Sequence, residues 1–396
     1  MAFRKLVEFI KLVDIRNSGG NISNLLGVSI SKEFMPSVAN IIGTDLTKYK
    51  IISKGQFACS LMQVSRDGGI AISLYKNAES AIMSPAYFIF EVSNSQLNSD
   101  YLELIFNTSE FDRAATFYAV GGVRGTLTWD DFCKMEINVP DIAEQERVVK
   151  IYNVINNRIK ILNALNKNLE EQAQTIFKHW FIDFEFPNEE GQPYKSSGGK
   201  MIWNEELQKE IPEDWKVRSL ADIANYLNGL AMQKFRPKQT EIGFPVLKIR
   251  ELKQGFCDSI SEFCSQDIEK KYIINNGDVI FSWSGSLFLD IWCGGLCGLN
   301  QHLFKVTSKI YDNWFYYFWT KHHLQNFIKI ANDMKTTMGH IKREELSKAF
   351  VLIPPKIYYD KVNLLLNPIF KFIIFHKIDI LKLAELRDLL LPKLLS

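Results

Sequence analysis

Residues 148–180 of this chain read VVKIYNVINNRIKILNALNKNLEEQAQTIFKHW. Apolar residues recur there at alternating steps of four and three, the seven-residue repeat of a helix that packs against another helix. Such a helix is about 50 Å long at 1.5 Å per residue. The repeat positions are Val148, Tyr152, Ile155, Ile159, Leu162, Asn166, Leu169, Ala173, Ile176 and Trp180. Only Asn166 is markedly polar, and it is predicted either to fix the register of the helices or to face solvent.

The chain repeats itself at an offset of 214 residues, and the repeat supplies a second helix of this kind. Gly125 aligns with Gly339 and Pro140 with Pro354, while residues 3–9 align with residues 217–223. Two seams of equal length predict an intramolecular antiparallel helix pair; the alternative is that each helix packs only on its own domain. The second seam consists of Val362, Leu366, Ile369, Ile373, His376, Ile380, Leu383, Arg387, Leu390 and Leu394, which His376 and Arg387 interrupt.

Between their shared ends the two copies diverge in sequence and spacing. Short apolar runs at 86–92 and 278–281 predict strands, and 99–111 and 312–331 predict helices. The predicted fold class is therefore α+β, with two globules separated by two long antiparallel helices. The predicted boundaries are 1–140 for the first globule, 141–183 for its helix, 184–210 for a connector, 211–353 for the second globule and 354–396 for its helix.

Length and charge limit the possible classes of protein. The 396 residues suit two or three domains, and 46% hydrophobic residues exclude a disordered chain. A net charge of +2 excludes nucleic-acid binding by global charge alone, so any such binding must use local patches. Residues 183–214 contain nine acidic and three basic residues, which predicts an exposed connector away from nucleic acid. Six cysteines, no signal peptide and no apolar run of membrane-spanning length predict a cytoplasmic protein.

Four segments resemble, in the expected order, the specificity subunit of type I restriction-modification systems. VPDIAEQER at 139–147 and QAQTIFKHWF at 172–181 resemble the beginning and end of that family's first conserved helix. IPEDWKVRSL at 211–220 resembles the opening of its second target recognition domain, and LRDLLLPKLL at 386–395 its ending. The chain departs from the family pattern in two places. The first globule lacks an Ile-Pro-…-Trp opening, and PPKIYYD at 354–360 lacks the Glu-Gln pair of the first helix.

The resemblance implies that DNA recognition, methylation and cleavage are carried out by different subunits. Each globule would read one half of a bipartite site in double-stranded DNA, and the helix pair would set the spacing, about 15 base pairs for 50 Å at ~3.4 Å per step. Two separate methyltransferase subunits, which carry S-adenosylmethionine, would methylate adenine, and restriction/translocase subunits would cleave. This chain would direct both reactions, catalyse neither and hold no cofactor. The alternatives are a coiled-coil scaffold whose globules bind protein, and a self-contained nuclease or methyltransferase.

The motifs of independent catalysis are missing from the sequence. No P-loop occurs, and Pro354-Pro355 lacks the flanking Asn or Asp and the aromatic residue of an adenine methyltransferase loop. The cysteines lack zinc-site spacing, and His322-His323 on a predicted helix is better explained as a core or surface pair than as metal ligands. We therefore predict neither catalytic nor metal-binding residues.

The predicted DNA contacts are basic and small polar residues on loops. Residues 234–253 carry six cations against Glu241 and Glu251, and the loop around Gly339 contains no acid. Its counterpart in the first globule is the loop around Gly125. Cationic side chains bind phosphates, while amides, hydroxyls and imidazoles match base edges. The candidates are Gln63, Arg66, Arg124, Thr126, Lys234, Arg236, Lys248, Arg250, Ser284, Lys335, Thr336, Thr337, His340 and Lys342.

Overall fold

A computed structural model describes residues 3–37, 43–119, 125–333 and 339–395. The chain divides into two compact units. Unit 1 comprises Met1–Arg158 with Ala384–Ser396, and unit 2 comprises Ile159–Leu383. Each unit therefore contains one globule together with parts of both long helices. In the part of the chain that the structure describes, no helix is both long and apolar enough to cross a membrane.

Unit 1 contains two four-stranded sheets, a two-stranded sheet and short helices. Its strands are β1 (Phe3–Lys5), β2 (Ile10–Val13), β3 (Leu25–Val28), β4 (Phe34–Pro36), β5 (Lys50–Ile52), β6 (Gln56–Ser60), β7 (Ala71–Leu74), β8 (Ala81–Met83), β9 (Phe88–Val92) and β10 (Glu136–Asn138). Its helices are α1 (Val64–Asp67), α2 (Ser99–Phe106), α3 (Ser109–Tyr118), α4 (Trp129–Lys134) and the beginning of α5 (Ile142–Phe181). The sheet orders are β2-β9-β6-β7, β4-β3-β8-β5 and β1-β10.

Local sequence explains where the helices of unit 1 begin. The side chain of Asn98 accepts from the backbone N–H groups at the start of α2, and Thr108 and Thr128 do the same for α3 and α4. Behind these helices, the rings of Phe57 and Phe90 stack with centroids 5.1 Å apart. The core of unit 1 is thus aromatic and lies between the helices and the β2-β9-β6-β7 sheet.

Unit 2 repeats this arrangement after a hairpin. Its strands are β11 (Met201–Asn204), β12 (Lys209–Pro212), β13 (Lys216–Ser219), β14 (Asn225–Asn228), β15 (Phe244–Leu247), β16 (Phe263–Cys264), β17 (Ile273–Ile274), β18 (Val279–Ser282), β19 (Phe288–Ile291), β20 (Cys297–Leu299), β21 (Leu303–Thr307) and β22 (Phe350–Ile353). Its helices are α6 (Leu220–Ile223), α7 (Ile249–Gln254), α8 (Asn313–Asp333), α9 (Arg343–Lys348) and most of α10 (Lys356–Leu395).

The two globules share one topology even where their sequences diverge. The orders β14-β21-β18-β19 and β16-β15-β20-β17 in unit 2 match the two four-stranded sheets of unit 1 strand for strand. Each second sheet contains one parallel pair, β3 with β8 and β15 with β20. The two-stranded pairs β1-β10 and β13-β22 also correspond. The repeat therefore runs through the whole of each globule.

The predicted helix pair is present, and the α+β fold class is confirmed. Helices α5 and α10 contain 40 residues each. In unit 2, Ala173 and Phe177 of α5 share a core with Leu366 and Phe370 of α10. In unit 1, Val148 of α5 shares a core with Leu391 and Leu395 of α10. Later residues of α5 meet earlier residues of α10, so the helices are antiparallel in each unit.

The segment 184–210 is exposed or half-buried, as its charge predicts, except for two aromatic residues at its beginning. Phe184 is 3% exposed and Phe186 is completely buried. The ring of Phe186 stacks on Trp215 with centroids 5.1 Å apart, and β11 and β12 form an antiparallel hairpin. The acidic residues of the segment occupy the surface, while Phe184 and Phe186 at its beginning join the core of unit 2.

Candidate nucleic-acid interface

In unit 2, two loops predicted to contact DNA lie side by side. The backbone N–H of Ile341 donates to the carbonyl of Trp283 at 3.1 Å, and that of Gly285 donates to Gly339 at 2.8 Å. Ser284 and His340 form a β-bridge between these bonds. Residues 283–286 and 339–342 are called here the loop pair of unit 2. The pairing brings together two of the predicted site residues, Ser284 and His340.

Unit 1 has a loop pair built in the same way, from residues 61–66 and 125–128. The N–H of Leu127 donates to the carbonyl of Leu61 at 2.9 Å, which corresponds to the Ile341–Trp283 bond through the repeat. Gly125 adopts φ +70°, and a Cβ atom there would lie 1.9 Å from Ser65 Oγ. Glycine is favoured at this position because φ is left-handed, and a Cβ atom would also displace the Ser65 side chain.

The predicted residues of unit 1 lie on this loop pair. Gln63 is half-buried and adopts φ 62°, a left-handed conformation that is costly for a residue with a side chain. Arg66 is exposed and pairs with Asp67 at 2.8 Å. Thr126 is half-buried on the second loop. Arg124 lies outside the described residues, as do Lys335, Thr336 and Thr337 of unit 2.

A groove beside the loop pair of unit 2 collects most of the other predicted cations. Lys248 Nζ lies 2.5 Å from Glu262 Oε1, and Arg236 lies 3.1 Å from the other oxygen of the same carboxylate. Two cations therefore contact one carboxylate. Because Glu262 lies outside the basic stretch 234–253, the charges of that stretch alone do not reveal this pairing. The groove is lined by Gln233, Arg236, Lys248, Ile249, Arg250, Glu262, Asn300, Gln301 and His302.

Arg250 is held by two carboxylates in the wall of this groove. It lies 2.6 Å from Glu251, which is 2% exposed, and 2.8 Å from Asp258. The hydrogen bond from Arg250 is the main reason why the pKa of Asp258 is lowered. Since Ser261 Oγ also donates to Glu251, the guanidinium belongs to a structural network within the wall. Lys234 and Lys342, in contrast, are exposed cations for which no ion pair is found among the described residues.

The groove and the loop pair meet at His302, which is not among the residues predicted from the sequence. The Nδ1 atom of His302 lies 2.9 Å from Ser284 Oγ, and its neighbour Gln301 lines the groove. Trp283 Nε1 donates to Asn228 Oδ1 at 2.9 Å on the far side. The polar residues 300–302 between two apolar strands are the sequence feature that could have indicated His302 as a site residue. The assembled surface presents cations for phosphates beside the amide of Gln301 for a base edge, while Ser284 is 6% exposed and hydrogen-bonded to His302.

His323, Cys264 and Cys293 of unit 2 have pKa values shifted by burial. His323 Nε2 donates to the carbonyl of Phe350 at 2.8 Å, and burial lowers the pKa of His323 to about 4. Burial raises the pKa of Cys264 and of Cys293 to about 11 in each case. Among the described residues, no group of three His, Cys, Asp or Glu side chains is placed to hold a metal ion.

Comparison with known proteins identifies this architecture. Residues 212–366 match the family model described as the type I restriction modification DNA specificity domain. The type I restriction enzyme MjaIX specificity subunit from Methanocaldococcus jannaschii is 29% identical over 312 residues, which cover 75% of this chain and 68% of that protein. The HindI specificity subunit from Haemophilus influenzae is 20% identical over 411 residues, covering 88% of this chain and 87% of that one.

A solved structure shares the fold. The type I restriction-modification system S subunit from M. genitalium superimposes with a TM-score of 0.57 at 12% identity, covering 100% of this chain and 96% of that one. The family match, the relatives and the order of globules and helices agree. Over most of its length, the chain is therefore similar to the specificity subunits of type I restriction-modification systems.

Proposed function

We propose that this chain selects the DNA target of a type I restriction-modification complex, and that each unit binds one half of a bipartite site. The observation that carries the proposal is the repeated loop pair, which occurs at the corresponding place on two sheets of the same topology. Two loop pairs with the same backbone arrangement but different side chains are suited to binding two DNA half-sites of different sequence. The groove cations of unit 2 add phosphate contacts beside its loop pair.

The two long helices set the distance between the half-sites in this proposal. Their contacts are specific at the level of single residues, because His376 Nδ1 lies 2.9 Å from Asn166 Oδ1 in unit 2. In unit 1, Arg387 donates to Asn156 at 3.2 Å. Each polar interruption of the second seam therefore meets an asparagine of the first helix, which favours one register over its neighbours.

Exposed apolar side chains on the helices support docking of partner subunits. On α10 within unit 2, Leu364, Phe372 and Phe375 are 78%, 57% and 59% exposed. On α5 of the same unit, Ile161 is 59% exposed. Apolar faces of this size on a helix pair suit additional helices. We assign them to the two methyltransferase subunits, which bind S-adenosylmethionine and methylate adenine, while restriction/translocase subunits cleave. The chain itself catalyses neither step.

Reconstitution tests this function. The purified chain is combined with candidate methyltransferase subunits and S-adenosylmethionine, and N6-methyladenine is mapped on genomic DNA. Methylation at one bipartite sequence, which requires all components, is the expected result. Methylation by the chain alone would contradict the non-catalytic assignment, and methylation whose target does not depend on this chain would contradict the assignment of specificity.

A further inference from the structure

The turn between β20 and β21 holds Gln301 and His302 at the junction of the groove and the loop pair. Asn300, 7% exposed, accepts from the backbone N–H of His302 at 3.3 Å through its Oδ1 atom. The backbone N–H of Trp283 donates to the carbonyl of His302 at 3.4 Å. The backbone of the turn is therefore fixed from both sides before any ligand binds.

The side chains of Gln301, His302 and Ser284 form a chain of two hydrogen bonds. Gln301 Nε2 lies 3.3 Å from His302 Nε2. Because an amide nitrogen only donates, His302 Nε2 accepts, so the ring proton resides on Nδ1. That nitrogen donates to Ser284 Oγ at 2.9 Å, and Ser284 is 6% exposed. The buried hydroxyl thus orients the imidazole, and the imidazole orients the amide.

The hydrogen bond to His302 uses one of the two side-chain N–H groups of Gln301. Its second N–H and its Oε1 atom make no hydrogen bond within the described residues, and Gln301 lines the open groove. Side by side, an amide donor and an amide acceptor match the N7 acceptor and N6 amino donor of adenine in the major groove. Guanine presents two acceptors at these positions, and cytosine presents only a donor, so neither satisfies both groups.

We propose that Gln301 reads an adenine in the half-site bound by unit 2, with His302 and Ser284 as positioning residues. The proposal rests on the function proposed above. The neighbouring groove cations Arg236 and Lys248 support it, because phosphate contacts on the same wall would hold the base edge against the turn.

The test uses the complex with methyltransferase subunits and maps the methylated sequence for Gln301→Ala and Gln301→Glu. Gln301→Ala should relax one base pair in one half-site, with a loss of about 5- to 150-fold in discrimination, the range for one bidentate base contact. Gln301→Glu should shift that position from adenine to cytosine, because a carboxylate accepts from the cytosine amino group. Ser284→Ala should weaken discrimination at the same base pair and at no other.

Two controls make the result decisive. Gln325→Ala changes an exposed glutamine on α8 of the same unit and should leave the target unchanged. Gln63→Ala in unit 1 should affect only the other half-site. If Gln301→Ala leaves every base pair unchanged, or weakens binding to all sequences equally, Gln301 does not read a base, although the chain still selects the target. Failure of the unaltered complex to methylate a specific sequence would instead overturn the proposed function.

Discussion

At the scale of single residues, Glu262 limits the positive charge of the groove. Its carboxylate contacts both Lys248 and Arg236, and the hydrogen bond from Lys248 is the largest cause of its lowered pKa. The glutamate is therefore charged near neutrality. The two cations that the sequence marks as free phosphate ligands are thus partly neutralised by a residue 14 positions after Lys248.

Glu262→Gln should strengthen the binding of this chain to DNA. Removing one negative charge beside two cations should raise non-specific affinity several-fold and steepen its salt dependence by up to about one counterion. Fluorescence anisotropy at a series of KCl concentrations measures both quantities. Glu269→Gln, which removes the partner of Lys271 at 2.7 Å, is the matched control. Unchanged or weaker binding by Glu262→Gln would show that the groove does not hold DNA.

His323 should make stability depend on pH. Burial is the main cause that lowers its pKa to about 4, below the value of about 6.5 for an unfolded chain. The folded state therefore disfavours the proton that the unfolded state takes up, and stability falls as the pH drops from about 6.5 to about 4. His323→Gln, which keeps a donor for Phe350, should remove up to about 3 kcal/mol of this fall. Urea unfolding at several pH values measures it, and His179→Gln provides an exposed control.

Lys32 should contribute strongly to the stability of unit 1. Its side chain is 8% exposed, lies 2.8 Å from Asp112 and also donates to the carbonyl of Phe106. Lys32→Met leaves a half-buried carboxylate without its cation, which should cost about 2–4 kcal/mol. Lys11→Met breaks the exposed pair with Glu91 and should cost less than about 1 kcal/mol. Chemical denaturation compares the two variants; equal losses would contradict the role given to burial.

At the scale of elements, the helices could be predicted from the sequence and the sheets could not. A heptad seam is local, so the position of Asn166 follows from spacing alone, and both seams of ten residues are buried or half-buried. The match between the two globules is non-local. Strand pairing such as β3 with β8 depends on residues more than 50 positions apart, and different apolar sequences satisfy it equally well. Similarly, the Lys248–Glu262 contact depends on how β15 and β16 pair.

The asparagine–histidine contact between the helices should be energetically coupled. His376 Nδ1 donates to Asn166 Oδ1 at 2.9 Å, and Asn166 Nδ2 donates to the carbonyl of Ile373 at 3.4 Å. Asn166→Ala and His376→Ala should therefore be non-additive, with a coupling free energy of about 0.5–1.5 kcal/mol. A double-mutant cycle by urea unfolding measures it. Asn163→Ala, exposed on the same helix, should not couple to His376, and additivity at Asn166 would show that the contact does not stabilise the register.

At the scale of the whole molecule, the repeat predicts that spacing and sequence can be changed independently. Deleting 152–158 from α5 and 384–390 from α10 removes one heptad from each helix, and both partners of the Arg387–Asn156 contact leave together. The Asn166–His376 contact is retained. Because each deletion removes a whole heptad, the remaining seam residues keep their seven-residue spacing on one face of the helix. Seven residues correspond to about 10 Å, or about three base pairs.

The expected result is a methylated site whose two halves are unchanged and whose spacer is shorter by about three base pairs. Mapping N6-methyladenine in cells that carry the shortened chain measures the spacer directly. Deleting the heptad from α5 alone is the control, because unequal helices leave seam residues without partners and should destabilise the chain. An unchanged spacer in the paired deletion would mean that the helices do not set the distance, since the loop pairs proposed to contact the bases are left intact.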